Sequence, residues 1–133
     1  MWRSGILALL LVAVLAASSL SATIPERRLE HWTNHARVSH GVRPLAWRHR
    51  LHLVAVREVH KMLRCRCLSH SVRPPCLMWG QNIGVGLTTW RVFRGFMHSA
   101  AHRRNILDPR FRRGGVAVRR GFGFVWVAQE FCE

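Results

Sequence analysis

Residues 115–131, which read GVAVRRGFGFVWVAQEF, decide the fold class of this 133-residue chain. Apolar residues on either side of the polar, glycine-containing run at 119–123 predict a β-hairpin with that run as its turn. In the second arm, residues 124–131, apolar side chains fall on both faces of the strand. A strand that is apolar on both faces lies in a sheet that is covered on both sides.

Helical spacing upstream of the hairpin supplies the covering elements. The first predicted helix begins at Pro25 and ends before Gly41, and the second covers residues 50–63. After a loop at 65–80 and a short strand at 82–87, Thr88 or Thr89 caps a short helix, and a helical turn follows at 100–106. The predicted fold is an α/β (α+β) three-layer α-β-α sandwich in a single domain. The short helix is expected to direct Trp90, Phe93, Phe96 and Met97 towards the core.

The composition excludes several classes of chain. An apolar share of 49% is too high for a disordered segment, and ten Gly with five Pro are too few for a collagen-like or low-complexity chain. The length leaves room for one compact domain.

Residues 1–22 have the order of a secretory signal peptide. Arg3 precedes an unbroken apolar run at 6–17, and small residues at 18–22 favour cleavage after Ala22. Because this run is short for a membrane span, an uncleaved anchor is only the alternative interpretation. The sequence therefore predicts an extracellular (secreted) domain of residues 23–133, with no transmembrane anchor after cleavage.

The four cysteines of this exported chain predict two disulfides. A bridge between Cys65 and Cys67 is expected to be sterically poor, which leaves two pairings open. The preferred pairing is Cys67–Cys76 with Cys65–Cys132. A zinc site is disfavoured because the Cys-x-Cys spacing lacks the two-residue gap common in zinc-binding motifs.

The charge is strongly basic. The chain has 21 Lys+Arg against 6 Asp+Glu, a net charge of +15, and Lys61 is the only lysine. Guanidinium groups bind carboxylates and phosphates through two hydrogen bonds, so anionic cell-envelope polymers or lipids are the expected partners. A compositional bias of the genome is the alternative explanation. No nucleic-acid-binding motif accompanies the charge, so sequence-specific nucleic-acid binding is not expected. The candidate anion-contacting residues are Arg103, Arg104, Arg110, Arg112, Arg113, Arg119 and Arg120.

Five blocks of residues carry a family resemblance. They are Asn34-x-x-Arg37-x-x-x-Gly41-x-x-Pro44-Leu45-x-Trp47, Ser69-His70, Gly80-Gln81-Asn82-Ile83, His102-Arg103-x-Asn105-Ile106-Leu107, and Gly115-Val116-x-Val118 followed by Trp126-Val127. In this order they resemble the CAP superfamily, which comprises cysteine-rich secretory proteins, antigen five and plant pathogenesis-related proteins. Residues 96–107 look most like its compact bacterial members. The resemblance implies an α-β-α sandwich, secretion, a disulfide or two, and a cleft centred on two histidines.

The resemblance places the two cleft histidines at His70 and His102, beside Gln81 and Asn82. In animal and plant members two glutamates join the histidines, and the four residues can hold a divalent metal. Here Gln81 replaces one glutamate, and no acidic residue lies at 93–97 for the other. His70 and His102 are therefore the candidate ligands of a metal such as zinc, with Gln81 a poor third ligand. The alternative is that both histidines are hydrogen-bonded members of a polar cleft.

No residue is assigned a catalytic role. Ser99 and His102 are three residues apart on a predicted helical turn, but no acidic residue is apparent to orient the histidine. The predicted function is therefore a secreted CAP-domain protein that acts as a binding or cell-surface interaction module. The alternatives are a metal-assisted hydrolase of a cell-envelope substrate and a cationic protein with only electrostatic association.

Overall fold

The structure is a computed structural model that describes residues 22–133. The predicted signal peptide therefore lies outside the described residues except for Ala22. The elements are α1 (Ile24–Ser39), β1 (Ala46–Trp47), α2 (His49–Cys65), β2 (Trp79–Gly86), α3 (Thr89–His98), α4 (Ala100–Leu107), β3 (Arg113–Gly121) and β4 (Phe124–Cys132).

One four-stranded sheet, in the order β1-β3-β4-β2, forms the middle layer. The predicted hairpin is confirmed as β3 and β4, which pair antiparallel. Its turn is shorter than the predicted 119–123, because β3 continues to Gly121 and only Phe122 and Gly123, both at positive φ, join the strands. β1 runs parallel to β3, and β2 runs antiparallel to β4. β2 is therefore an edge strand, and its second edge has no neighbouring strand in the described part of the chain.

The two faces of the sheet pack against different helices. Val125 and Val127 point into a core with α1, α3 and α4. Trp126 and Ala128, which alternate with them along β4, point towards α2. This alternation follows from the two-residue period of a strand. The prediction of a three-layer α-β-α sandwich is confirmed.

Helix α2 lies very close to β3 at one glycine. A Cβ atom on Gly115 would lie 2.2 Å from the backbone carbonyl carbon of Leu51. Only a residue without a side chain allows this approach.

A buried arginine, Arg37, links two connecting segments of the fold. The Arg37 guanidinium, fully buried on α1, donates to the carbonyl oxygens of Arg43, Ile106, Asp108 and Phe111 at 2.7–3.1 Å. Burial of this charge is tolerated because several of its N–H groups find an acceptor. The bonds tie the segment before β1 to the segment between α4 and β3.

The helix boundaries are close to those predicted. Thr23 caps α1 and Pro25 lies in its first turn, while Thr88 caps α3. The predicted core position of Trp90 is only partly correct, because this side chain is 46% exposed and packs its ring on Trp32 and Phe93.

The preferred disulfide pairing is wrong. The structure pairs Cys65 with Cys67 and Cys76 with Cys132. Arg66, at the end of α2, has left-handed backbone angles of φ 53 and ψ 38. This conformation turns the chain between Cys65 and Cys67 and brings their Cα atoms to 5.2 Å, a normal disulfide separation. The expectation of a sterically poor bridge assumed that no such turn occurs.

Candidate functional site

Gln81, on the edge strand β2, is the centre of a buried polar cluster. Its Nε2 donates to Glu130 Oε1 at 2.6 Å and to Glu58 Oε2 at 3.2 Å, so its Oε1 is left as an acceptor. That oxygen lies 2.5 Å from His70 Nδ1. The network therefore assigns a proton to Nδ1 of His70, and its Nε2 makes no hydrogen bond among the described residues.

Glu58, on α2, holds the loop that carries His70. It accepts hydrogen bonds from the backbone N–H of Ser71 and Val72 and from the Ser71 hydroxyl, at 2.6–3.0 Å. The side chain is fully buried, so these bonds replace the water that its carboxylate has lost. Glu58 thus fixes the position of His70 beside Gln81.

Glu130, on β4, is the most perturbed acid of the cluster. Burial raises its pKa to about 8, the Gln81 hydrogen bond opposes the rise, and the nearby charge of Glu58 adds to it. Its Oε2 is buried and has no hydrogen-bond partner among the described residues. Glu130 is therefore protonated, and neutral, at neutral pH.

Glu58 and Glu130 were not among the residues that the sequence predicts for the site. Each is an acidic residue in an otherwise apolar context, Glu58 on the apolar face of α2 and Glu130 within the apolar strand β4. An isolated carboxylate on a face that must be buried is the signal that could have found them. Their meeting depends on the register that pairs Gln81 with Glu130.

His102, on α4, lies on the other side of β2 from Glu58. Its ring packs edge-on against Phe96, with the ring centres 4.9 Å apart. Burial lowers its pKa, and the nearby charge of His70 lowers it further. His102 is therefore neutral at neutral pH.

Asn82, a predicted cleft residue, positions α4. It is fully buried, donates to the carbonyl oxygen of His102 at 3.1 Å and accepts from Asn105 Nδ2 at 2.9 Å. The asparagine of the Gly80–Ile83 block thereby fixes the backbone of His102 against the sheet.

An open groove of about 480 Å³ runs beside β2, towards α3. Its walls are mostly apolar, Ser99 and His102 line it, and Arg91 is its only arginine. Gly84 keeps α3 close, because a Cβ atom there would lie 2.9 Å from both Val92 and Phe96. The remaining lining residues are Leu68, Ile83, Val85, Gly86, Leu87 and Gly95.

The residues around the histidines do not fit a complete metal site. Within residues 22–133 no group of three or more His, Cys, Asp or Glu side chains is arranged to hold a metal ion. The oxygen of Gln81 already interacts with His70, and Glu58 is occupied by the loop. A lasting zinc site needs three or four protein ligands. Metal binding by His70 and His102 alone stays a prediction.

The structure separates the seven candidate arginines. Arg110 pairs with Asp108 and Arg119 with the buried Glu26, and Arg113 donates to the carbonyl oxygen of Glu133. Arg112 and Arg113 lie where β3 begins and Arg119 and Arg120 lie near its end, about 23 Å away at roughly 3.3 Å per residue. Exposed members are Arg103, Arg104, Arg110, Arg112, Arg113 and Arg120.

Comparison with known families supports the same architecture. The model of the cysteine-rich secretory protein family, CAP, matches residues 31–131. The chain belongs to the CAP family. No curated protein matches the chain in sequence at a significant level.

Solved structures of low sequence identity share the fold. An extracellular protein with an SCP domain from Bacillus anthracis has a TM-score of 0.74 and 22% identity over 82% of this chain, and this chain covers 40% of its length. An outer surface protein of Borrelia burgdorferi has a TM-score of 0.73 and 14% identity, over 79% of this chain and 89% of its own. Venom allergen-like protein 4 of Schistosoma mansoni has a TM-score of 0.71 and 10% identity, over 84% and 89%. No helix among residues 22–133 is long and apolar enough to cross a membrane.

Proposed function

We propose that this chain is an exported CAP-domain protein that acts as a binding module, and that its ligand lies in the groove between β2 and α3. The groove itself carries the proposal. Its volume of about 480 Å³ falls in the range typical of small-molecule sites, roughly 300–1,000 Å³, and its walls are mainly apolar with few polar groups. The two carboxyl groups of the site, those of Glu58 and Glu130, are enclosed in the Gln81 cluster and do not line the groove.

The lining favours a ligand with an apolar chain and a negatively charged head. Arg91 supplies a positive charge at the groove, and no carboxylate lines it. Ser99 and the neutral His102 add hydrogen-bonding groups. An anionic lipid of the cell envelope matches this chemistry, and the exposed arginines of the C-terminal third would attract the surface that contains it.

Filling the groove tests the proposal. A Cβ atom on Gly95 meets nothing within 4 Å, so Gly95→Leu projects a side chain into the groove without touching the core. We expect titration calorimetry with dodecanoate to show binding to the wild type and loss of binding in Gly95→Leu. His98→Leu is the matched control, because His98 is exposed on the same helix and does not line the groove.

Substitution of Arg91 tests the proposed preference for a negatively charged headgroup. We expect Arg91→Ala to weaken dodecanoate binding about tenfold, the usual value of a charge-assisted hydrogen bond, and the exposed control Arg57→Ala to leave it unchanged. Equal affinity of the wild type for dodecanoate and dodecyltrimethylammonium would contradict the proposed headgroup charge. Equal binding of anionic and neutral vesicles at low salt would remove the role of the surface arginines.

Metal-assisted hydrolysis of a cell-envelope substrate is the second candidate. Its support is that the Nε2 atom of His70 makes no hydrogen bond among the described residues and that His102 is neutral, so both rings offer a nitrogen that could bind zinc. Calorimetry with ZnCl₂ distinguishes the candidates. Zinc binding that His102→Ala abolishes, together with envelope hydrolysis that the same variant abolishes, would replace the binding-module proposal. If Gln81→Glu binds zinc and the wild type does not, the wild-type protein lacks the metal that the proposed hydrolysis requires.

A further inference from the structure

The Cys65–Cys67 disulfide borders a basic cavity at the end of α2. Both cysteines are exposed, and the open cavity beside them has a volume of about 440 Å³. Lys61 and Arg64 supply two positive charges to its wall, and no acidic residue lines it. The remaining lining residues are Ser69 and Ser71.

The turn that carries this disulfide is held by groups other than the disulfide. The backbone N–H groups of Arg66 and Cys67 both donate to the carbonyl oxygen of Met62, which ends the helix. The Arg66 guanidinium lies over the Phe122 ring, 4.2 Å from its centre. Because these contacts fix the backbone, we expect the turn to persist when the disulfide opens.

The second disulfide also borders a cavity lined by arginines, but it differs in its sequence separation and in the burial of one cysteine. It links Cys76 to Cys132 across a sequence separation of 56, and Cys132 is 2% exposed at the end of β4. Both cysteines border a cavity, but Cys132 is nearly buried, so attack of a thiolate on Cys76 would leave the Cys132 thiolate with little access to water. A buried thiolate is a poor leaving group, so this disulfide should resist exchange.

We propose that Cys65–Cys67 is a thiol–disulfide exchange site for anionic thiols. A thiolate RS⁻ attacks one of the two sulfur atoms, the Cys65–Cys67 S–S bond breaks, and the other cysteine leaves as a thiolate. The product is a mixed disulfide between RS and the attacked cysteine. A second RS⁻ then attacks the thiol-derived sulfur of this mixed disulfide and releases RSSR. Two thiols are oxidised to one disulfide, and the protein pair is reduced to two cysteine thiols.

The surroundings favour this step in two ways. Lys61 and Arg64 attract a negatively charged thiol to the cavity, and they stabilise the leaving thiolate, which faces water. This activity goes beyond the proposed lipid-binding function and does not depend on it, because the cavity shares no lining residue with the groove beside β2.

The test is a comparison of exchange rates at the two disulfides. The oxidised protein is mixed with 3-mercaptopropionate, 2-mercaptoethanol or cysteamine, quenched with iodoacetamide and mapped by peptide mass spectrometry. At equal thiolate concentration, we expect Cys65 and Cys67 to be modified at least tenfold faster than Cys76 and Cys132. We also expect the anionic thiol to react about three- to tenfold faster than the cationic one.

Two variants separate this mechanism from general reactivity. Lys61→Ala/Arg64→Ala should abolish the preference for the anionic thiol, whereas Arg27→Ala/Arg28→Ala removes two exposed charges of α1 and should preserve it. Opening of both disulfides at the same rate would overturn the proposal. So would the absence of a charge preference in the wild type, or a peptide map that links Cys65 to a residue other than Cys67.

Discussion

Gln81 joins two buried acidic side chains that lie on different elements, Glu58 on α2 and Glu130 on β4. Its amide N–H groups donate to Glu58 and Glu130, so a neutral side chain takes the place that a cation could occupy between two acids. A glutamate at this position would add a third carboxylate and no donor. Burial of the cluster raises the pKa of Glu130, and the Gln81 hydrogen bond opposes that rise.

The protonation of Glu130 predicts a pH dependence of stability. The folded protein keeps this proton to about pH 8, whereas an unfolded glutamate releases it near pH 4.3. Because the folded state binds more protons between these values, the free energy of unfolding should fall as the pH rises, by at most about 1.4 kcal/mol per unit. We expect Glu130→Gln to lack this decline. In urea denaturation, the free energy of unfolding of the variant relative to that of the wild type should therefore increase from pH 5 to pH 8.

An acid outside the cluster provides the control for this measurement. Glu133 is ionised across the same range, because hydrogen bonds from backbone N–H groups lower its pKa. Glu133→Gln should therefore follow the wild-type pH profile from pH 5 to pH 8. Parallel profiles for Glu130→Gln and the wild type would show that Glu130 is already ionised in the folded protein.

Two glycines, Gly115 in β3 and Gly95 in α3, have opposite roles in helix packing. Gly115 admits the backbone of α2 to β3, whereas Gly95, within α3, faces open space. The first glycine is needed for packing, and the second is only a poor helix former.

The two glycines predict opposite effects of the same substitution. Gly115→Ala should lower the free energy of unfolding by at least about 2 kcal/mol, because backbone atoms of α2 must move away from the sheet. Gly95→Ala should raise it by about 0.5–1 kcal/mol through helix propensity. Chemical denaturation of both variants measures the difference, and a neutral effect of Gly115→Ala would show that α2 can shift without cost.

At the scale of the whole molecule, the charge distribution differs from what the composition suggests. Three of the six acidic residues, Glu26, Glu58 and Glu130, are fully buried. Glu26 binds Arg119 and the backbone of Val118, so it joins α1 to β3. The surface is therefore more cationic than the net charge alone indicates.

The two disulfides should contribute unequally to the stability of the molecule. Loop-closure entropy assigns about 4 kcal/mol to the Cys76–Cys132 bridge, with its sequence separation of 56, and about 1.5 kcal/mol or less to Cys65–Cys67, with a separation of 2. We expect urea denaturation of the double alanine variants to reproduce this order. A larger loss in Cys65→Ala/Cys67→Ala would mean that the turn at Arg66 depends on its disulfide.

The sequence alone determined the layers of this protein. The two-residue period of residues 115–131 and the helical periods upstream predict which faces are apolar, and apolar faces must be covered whatever the details of packing. The family blocks also located His70, Gln81 and His102, which carry the candidate site.

Only the tertiary structure decided which distant residues meet. Glu58 and Glu130 reach Gln81 because strand register and the seating of α2 bring them there, and neither is encoded by local pattern. The disulfide pairing likewise depends on one left-handed residue, Arg66, whose conformation is selected by the end of a helix and by its contact with Phe122. Periodicity specifies the faces of each element, whereas contacts between elements depend on how those faces are brought together.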